Sequence, residues 1–216
     1  QKMPFQDFMF MVLSHEVQRR DSNAIKSRVT KAKLDIDMRL ERWDDTAAVS
    51  YDQRMWSELC SLRFVRAGHN ALILGPVGVG KTYLANALGH LACKHEMSVL
   101  MMRSERLFKE LKASRLDNTY DKEMRRLMSV DLLILDDFGL DRMDAIESRD
   151  FYELVVERHQ RASIVVTSNR EPNEWLALMA DPIRAQSAID RLQNASFELV
   201  VEGESYRKRQ KPEVAA

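Results

Sequence analysis

Short apolar runs alternate with longer segments of helical periodicity over most of this chain. Strands are predicted over residues 71–74, 98–102, 130–137, 162–167 and 196–201, each an apolar run of the length expected for a buried strand. Helices are predicted between them, over residues 82–94, 103–116, 146–160, 174–179 and 183–193. This alternation predicts an α/β fold with a parallel sheet of about five strands and helices on both faces.

The first 66 residues follow a different pattern, with helical periodicity and no apolar strand. Apolar residues recur at helical spacing from residue 5 to about residue 20, which predicts an amphipathic helix that needs a partner. Residues 19–42 carry eight basic against four acidic side chains, a pattern typical either of a surface for DNA phosphates or of a solvated helix face. The polar stretch 44–50 interrupts the pattern, and a helix is predicted over residues 51–66.

Three regions follow from these patterns. Residues 1–50 form an N-terminal helical region, residues 51–205 the α/β core, and residues 206–216 a basic tail. The first residue is glutamine, so we expect the N-terminal region to be truncated at its start.

Composition narrows the class of protein. The 33 basic and 33 acidic residues of the 216-residue chain cancel, so a nucleic-acid surface would require local charge asymmetry. Cys60 and Cys93 lack metal-site or disulfide spacing, and we expect reduced thiols in the cytoplasm. No apolar run approaches the roughly 18 residues of a membrane span, so no membrane association is expected.

A glycine-rich turn between the first strand and the next helix matches the phosphate-loop pattern G-x-x-x-x-G-K-[ST]. Its glycines let backbone N–H groups approach an anion at the positive end of the helix. Lys81 is predicted to bridge the β- and γ-phosphates of ATP, and the Thr82 hydroxyl to bind Mg²⁺. The candidate nucleotide-binding residues are Gly75, Pro76, Val77, Gly78, Val79, Gly80, Lys81, Thr82 and Tyr83.

Two further strands end in polar residues. Asp136 and Asp137 close the strand over 130–137, at the edge where parallel sheets bind ligands. Asp136 is predicted to hold Mg²⁺, and Asp137 to orient or deprotonate the attacking water, although an aspartate-rich turn has the same pattern. Asn169 follows the strand over 162–167, where its amide suits either a water or γ-phosphate contact or an ordinary turn.

Together, residues 75–82, 132–139, 164–169, 181–182, 188–192 and 203–207 closely resemble the IstB family of transposon helper ATPases, which are AAA+ proteins related to the helicase loader DnaC. The resemblance covers about residues 3–211. It implies a three-layer P-loop NTPase fold without a C-terminal lid domain. It also implies that the strand before Asn169 lies between the strands that lead to Gly75 and Asp136.

The resemblance further implies roles for single residues. Lys81 and Thr82 match the Walker A motif, Asp136 and Asp137 the Walker B pair, and Asn169 the first sensor. Arg191 falls at the position of an arginine finger that acts on a neighbouring subunit, and Arg207 at that of the second sensor. The second Walker B acid is aspartate where many AAA+ proteins have glutamate, and its shorter reach is expected to slow hydrolysis.

The leading hypothesis is an ATPase that forms a homo-oligomer with ATP on duplex DNA, without sequence readout, and presents that DNA to a partner transposase. The alternative is a DnaC-like helicase loader, in which the basic N-terminal helices would dock on a helicase. A small-molecule kinase is a third hypothesis, but the sequence shows neither an arginine-bearing lid nor an acceptor pocket.

Overall fold

Five parallel strands form the central sheet of the computed structural model, which describes residues 4–43, 49–194 and 196–206. Together with a separate pair, the described residues form the strands β1 (Val49–Ser50), β2 (Asn70–Leu74), β3 (Val99–Arg103), β4 (Leu132–Phe138), β5 (Ser163–Ser168), β6 (Ser196–Val200) and β7 (Glu202–Gly203). The sheet has the order β3-β4-β5-β2-β6, and β1 pairs with β7 in a separate antiparallel ribbon. The α/β fold with a five-stranded parallel sheet is therefore confirmed, as is the position of β5 between β2 and β4.

Helices cover both faces of this sheet. They are α1 (Phe5–Lys31), α2 (Gln53–Cys60), α3 (Arg63–Arg66), α4 (Lys81–Lys94), α5 (Ser104–Leu116), α6 (Tyr120–Ser129), α7 (Ala145–Arg158), α8 (Pro172–Trp175) and α9 (Pro182–Asn194). A hydrophobic core lies on each face of the sheet, and alternate residues of β4 pack into one or the other. Leu132 and Ile134 pack towards α4, whereas Leu133 and Leu135 pack towards α5, α7 and α9. Burial on both faces explains why the strands are continuous apolar runs.

Several boundaries differ from the sequence prediction. Helix α1 continues to Lys31 instead of ending near residue 20, because Ile25 and Val29 pack on the core. The predicted helix over 51–66 is broken at Leu62, which has a φ of 57°. Helix α6 was not predicted, although Tyr120, Met124 and Leu127 have helical spacing.

The N-terminal segment is in direct contact with the core. The Met101 backbone N–H donates to the Ala32 carbonyl at 2.8 Å, and the Asp35 N–H donates to Asn86 Oδ1 at 3.0 Å. The apolar residues predicted to seek a partner at the start of α1 are exposed: Phe5, Phe8, Met9, Val12 and Leu13. The region boundary at residue 50 stays a prediction, and residues 44–48 of the polar stretch lie outside the described part of the chain.

Within the described residues, no helix has both the length and the apolar character that crossing a bilayer requires.

Arg158 ties three elements together in the interior. Its side chain is 1% exposed and donates to the carbonyls of Leu127 and Ser163, both at 2.7 Å, and of Asp131 at 3.4 Å. Burial lowers the pKa of Arg158 to about 10, and the charge of Asp131 opposes this shift. These bonds join the end of α6 to the start of β5.

We expect Arg158→Met to lower the free energy of unfolding by about 2 kcal/mol, because the buried carbonyls lose their donor while a costly buried charge is also removed. Urea denaturation measures this loss. Arg161→Ala is the control, since Arg161 makes an exposed ion pair with Glu157 at 3.4 Å and its loss should cost under about 0.5 kcal/mol. Equal stability of Arg158→Met and the native protein would show that the carbonyl contacts contribute nothing.

Candidate nucleotide-binding site

The glycine-rich loop joins the carboxyl end of β2 to the first turn of α4. Gly75 and Gly78 have φ angles of 147° and 86°, in the region that favours glycine. A Cβ on Gly75 would lie 2.0 Å from the Val201 carbonyl oxygen, and a Cβ on Gly78 would lie 2.1 Å from Ser205 Oγ. The loop conformation therefore needs glycine at both positions, and it leaves a cradle at the N-terminus of α4 that suits phosphate.

Lys81 is the first residue of α4, and its side chain turns back into the loop. The residue is 6% exposed, and its Nζ donates to the carbonyls of Gly75 at 2.8 Å and Pro76 at 2.6 Å. Val79 is buried beneath the loop, whereas Val77 is exposed at its tip. The ammonium group is thus held where phosphate oxygens would replace loop carbonyls as its acceptors.

A buried carboxylate lies next to this loop. Asp136 is 2% exposed, and its Oδ1 accepts hydrogen bonds from Thr82 Oγ1 at 2.9 Å and Thr167 Oγ1 at 2.6 Å. Burial raises the pKa of Asp136, the charge of Asp137 adds to the rise, and the two hydroxyl contacts oppose it. A hydroxyl and a carboxylate in contact are the oxygen donors that Mg²⁺ prefers, so these residues fit the ion.

Asp137 is placed differently from its neighbour. Its backbone N–H donates to Thr167 Oγ1 at 2.9 Å, and its φ of 56° is uncommon for a residue other than glycine. Its side chain is 34% exposed, with Oδ2 at 3.9 Å from Nε of Arg103. The two successive aspartates thus have different environments: Asp136 is buried against Thr82, and Asp137 is partly exposed beside Arg103.

Asn169 lies beside the start of the glycine-rich loop. It directly follows β5, and the Gly75 N–H donates to the carbonyl of Ser168 at 3.3 Å. The side chain is half-buried. The carboxyl ends of β2, β4 and β5 therefore bring the loop, the two aspartates and Asn169 to one edge of the sheet.

Arg191 is not part of this cluster. It lies near the end of α9, where its Nη1 donates to the Ser187 carbonyl at 2.9 Å. The next residue, Leu192, accepts a 3.1 Å hydrogen bond from Nδ2 of Asn70, at the opposite end of β2. Asn70 and Gly75 are five residues apart on an extended strand, so Arg191 lies about 16 Å along β2 from the glycine-rich loop.

Arg207, the predicted second sensor, lies outside the described residues.

Three contacts in and around the site were not predicted from the sequence. Thr167 links the two aspartates, and only the pairing of β5 with β4 reveals it. The ring of Trp43 packs on Gly80 and meets the predicted contact Tyr83 edge-on, with centroids 5.1 Å apart. The Tyr206 N–H donates to the Gly78 carbonyl at 2.9 Å. Trp43 precedes β1 and Tyr206 follows β7, and these two strands pair with each other, so no local pattern indicates either contact.

The basic side chains of α5 have acidic partners in the structure. Arg106 pairs with Glu110 at 2.8 Å, and Lys109 pairs with Glu105, one turn away on the same helix. Lys112 reaches Asp144 at 2.7 Å and Glu147 at 2.8 Å, and Arg115 reaches the buried Asp150. Lys112 and Arg115 therefore connect α5 to α7, so their charges are used inside the fold.

Comparison with known proteins gives a consistent result. A family model described as IstB-like ATP binding protein matches residues 1–214. A putative ATP-binding protein in an insertion sequence of Mycobacterium tuberculosis is 34% identical over 207 residues, which are 95% of this chain and 82% of that protein. The IS21 putative ATP-binding protein of Pseudomonas aeruginosa is 34% identical over 210 residues, 97% of this chain and 79% of that protein.

Solved structures share the fold at lower identity. DnaI superposes with a TM-score of 0.62 at 23% identity, over 77% of this chain and 89% of that chain. The DnaC helicase loader gives a TM-score of 0.60 at 16% identity, over 69% and 87% of the two chains. These likenesses show the fold alone.

Proposed function

Because this chain belongs to the IstB-like ATP-binding protein family, we propose that it is a Mg²⁺-dependent ATPase that forms a homo-oligomer on duplex DNA and presents the DNA to a partner transposase. One observation carries the ATPase part: Thr82, Asp136, Thr167 and Asp137 form a continuous series of hydrogen bonds beside the glycine-rich loop. The transposase part is supported by relatives named as insertion sequence ATP-binding proteins.

ATP binding is proposed to rest on the loop and α4. Backbone N–H groups of the loop receive the phosphates, and Lys81 exchanges its carbonyl acceptors for phosphate oxygens. Thr82 and Asp136 would hold Mg²⁺, which neutralises charge on the phosphate oxygens when it is bound. Trp43 and Tyr83 flank the loop, where their rings can contact the nucleoside.

Hydrolysis is proposed to need a second copy of the chain. The open carboxylate of Asp137 accepts a proton from water as the water oxygen attacks the γ-phosphorus and ADP leaves. Asn169 holds the water or the γ-phosphate by a hydrogen bond. Since Arg191 lies at the far end of β2 from its own loop, it is proposed to serve the site of a neighbouring subunit. Hydrolysis then depends on assembly.

Contacts to DNA are proposed to involve phosphates, so that binding is independent of sequence. The insertion-sequence relatives, at 34% identity, favour a transposition helper over the alternative of a helicase loader. Turnover with duplex DNA alone tests this choice. Stimulation by duplex DNA supports the transposition helper, whereas a response only to single strands or to a replicative helicase would support the loader.

Lys81→Ala is expected to weaken ATP binding about 10- to 100-fold, because a charge-assisted contact to phosphate contributes about 1.5–3 kcal/mol. Titration calorimetry with Mg²⁺ and ATP measures the change. Lys94→Ala is the matched control, because Lys94 lies at the other end of α4 and pairs with Glu41 at the surface.

Native protein that takes up no ATP, or a Lys81→Ala variant that binds ATP with native affinity, would contradict the proposed site. Lys94→Ala should bind ATP as the native protein does. A parallel loss of affinity in both variants would indicate a general effect on α4 and not a phosphate contact.

A further inference from the structure

The strand β4 contains a bulge near its carboxyl end. Its pairing with β5 is regular up to Leu135 and resumes at Phe138. Between these two pairs, β4 contains Asp136 and Asp137, whereas β5 contains only Thr167. Since β4 stays in register with β3 up to Asp136, the extra residue is Asp137, whose φ is 56°. Such bulges are uncommon between parallel strands, and they redirect side chains next to active sites.

The bulge changes the direction of the Asp137 side chain. Residues two apart on a regular strand share one face of the sheet, so residue 137 would follow Leu133 and Leu135 into the core formed with α5, α7 and α9. Phe138 has that place instead, with its ring centroid 4.8 Å from that of Trp175. The Asp137 side chain is left 34% exposed. The bulge thus keeps a carboxylate out of the apolar core and at the edge of the sheet that carries the glycine-rich loop.

Two buried hydroxyl groups of β5 hold this irregular strand end. The Oγ1 of Thr167 accepts a hydrogen bond from the Asp137 N–H at 2.9 Å and donates one to Asp136 Oδ1 at 2.6 Å. The next residue, Ser168, donates from its Oγ to the Phe138 carbonyl at 2.7 Å. The extra residue of a bulge has no partner in the ladder, and Thr167 supplies the Asp137 N–H with one.

The two aspartates depend on the Thr167 hydroxyl to different degrees. Asp136 Oδ1 also accepts a hydrogen bond from Thr82 Oγ1 at 2.9 Å, so it keeps a donor when Thr167 is changed. The Asp137 backbone is supported by Thr167, and a residue other than glycine needs support to keep a φ near 56°. Loss of the Thr167 hydroxyl should therefore disturb Asp137 more than the candidate metal ligands.

We propose that Thr167 is a positioning residue for hydrolysis: its hydroxyl holds the bulge of β4 in the backbone conformation that directs the Asp137 carboxylate to the attacking water. This inference rests on the proposed function, since it assumes that Asp137 accepts the proton of that water. Thr167 takes no part in the chemistry itself and acts through the backbone of Asp137.

Steady-state phosphate release at varied ATP on duplex DNA, together with calorimetry of Mg²⁺-dependent ATP binding, tests this role. Thr167→Val keeps the shape of the side chain without the hydroxyl. It is expected to lower kcat about 10- to 100-fold, because a displacement of about 1 Å at a reacting group costs up to about 10²-fold. KM and the ATP affinity should stay within about twofold of native, because Lys81 and Thr82 are unchanged. Thr167→Ser keeps the hydroxyl and should keep kcat within about threefold of native.

Three further variants separate positioning from a structural effect. Thr167→Ala also lacks the hydroxyl but places no apolar methyl group beside Asp136, so it serves the same test if Thr167→Val does not fold. Ser163→Ala is the matched control, because Ser163 is a buried residue at the other end of β5 whose Oγ donates to the Phe64 carbonyl at 3.3 Å; its kcat should be native. Combining Thr167→Val with Asp137→Asn should be no slower than Asp137→Asn alone, because the effect passes through the carboxylate.

The outcomes distinguish this inference from the proposed function. A native protein that hydrolyses no ATP, or an Asp137→Asn variant with the native rate, overturns the proposed ATPase mechanism and this inference with it. If Asp137→Asn is slow, three results each overturn this inference alone: native kcat without the Thr167 hydroxyl, an equal loss in Thr167→Ser or Ser163→Ala, or a loss of ATP affinity that accounts for the slower turnover.

Discussion

Arg191→Ala is expected to lower ATP turnover of the DNA-bound assembly about 10³-fold, with ATP affinity little changed. An arginine that neutralises charge on the transferring phosphate contributes about 10³–10⁵ in kcat. Arg191 lies beside Leu192 at the amino end of β2, about 16 Å along the strand from its own glycine-rich loop. The variant should therefore fail in the chemical step and not in nucleotide binding. Steady-state phosphate release and calorimetry measure the two quantities separately.

Mixing of inactive subunits shows whether Arg191 acts across an interface. Lys81→Ala subunits lack a working loop but keep Arg191. Arg191→Ala subunits keep a working loop but lack the arginine. In a random equal mixture, about one head-to-tail interface in four joins an intact loop to an intact arginine. Turnover should recover to roughly that fraction of the native rate.

Arg184→Ala is the matched control for this experiment, because Arg184 lies in the first turn of the same helix and pairs with Asp181 at 3.5 Å. Turnover by Arg191→Ala at the native rate would refute the finger assignment. Failure of the mixture to recover, although both variants assemble on DNA, would place Arg191 in its own subunit's site.

Asp137→Asn is expected to slow hydrolysis about 10²–10⁴-fold, the usual contribution of a general base. The amide has nearly the shape of the carboxylate but does not accept the proton of the attacking water. Because Asp136 and Thr82 are untouched, Mg²⁺-dependent ATP binding should remain native. The assembly should then persist on DNA with ATP bound, which electron microscopy and bound-nucleotide analysis can detect.

Asp137→Glu provides the comparison, since it keeps a carboxylate and changes only its reach. It is expected to turn over ATP within about tenfold of the native rate. If Asp137→Asn and Asp137→Glu were equally slow, the backbone geometry at φ 56° would be the sensitive feature and not the proton acceptor. If Asp137→Asn hydrolysed ATP at the native rate, Asp137 would not be the proton acceptor.

The local parts of the site could be predicted from the sequence. The residues of the phosphate loop all lie in one turn and at the start of the next helix: Gly75, Gly78, Gly80 and Lys81. Their spacing along the chain therefore indicates a phosphate loop without any tertiary information. Asp136 was identified because an apolar strand delivers its last residues to the ligand-binding edge. Helix α6 was missed, although the spacing of Met124 and Leu127 was a usable signal.

Residues that act through strand pairing were not predicted. Thr167 had no distinguishing feature in a polar strand end, yet its hydroxyl contacts Asp136 and the backbone of Asp137. Trp43 is far from the loop in sequence and reaches Gly80 through the fold. Arg103 begins a series of basic residues at three-residue spacing, and only the register of β3 with β4 brings it to Asp137.

The sequence by itself determined the succession of the five core strands, the glycine-rich loop and the two carboxylates, because each depends on residues that are neighbours along the chain. The tertiary structure alone decided that Asp136 is buried while Asp137 faces water, that Thr167 links them, and that Arg191 is remote from its own loop. The reason is physical: local spacing sets backbone conformation, whereas burial and ion pairing depend on which distant strands lie side by side.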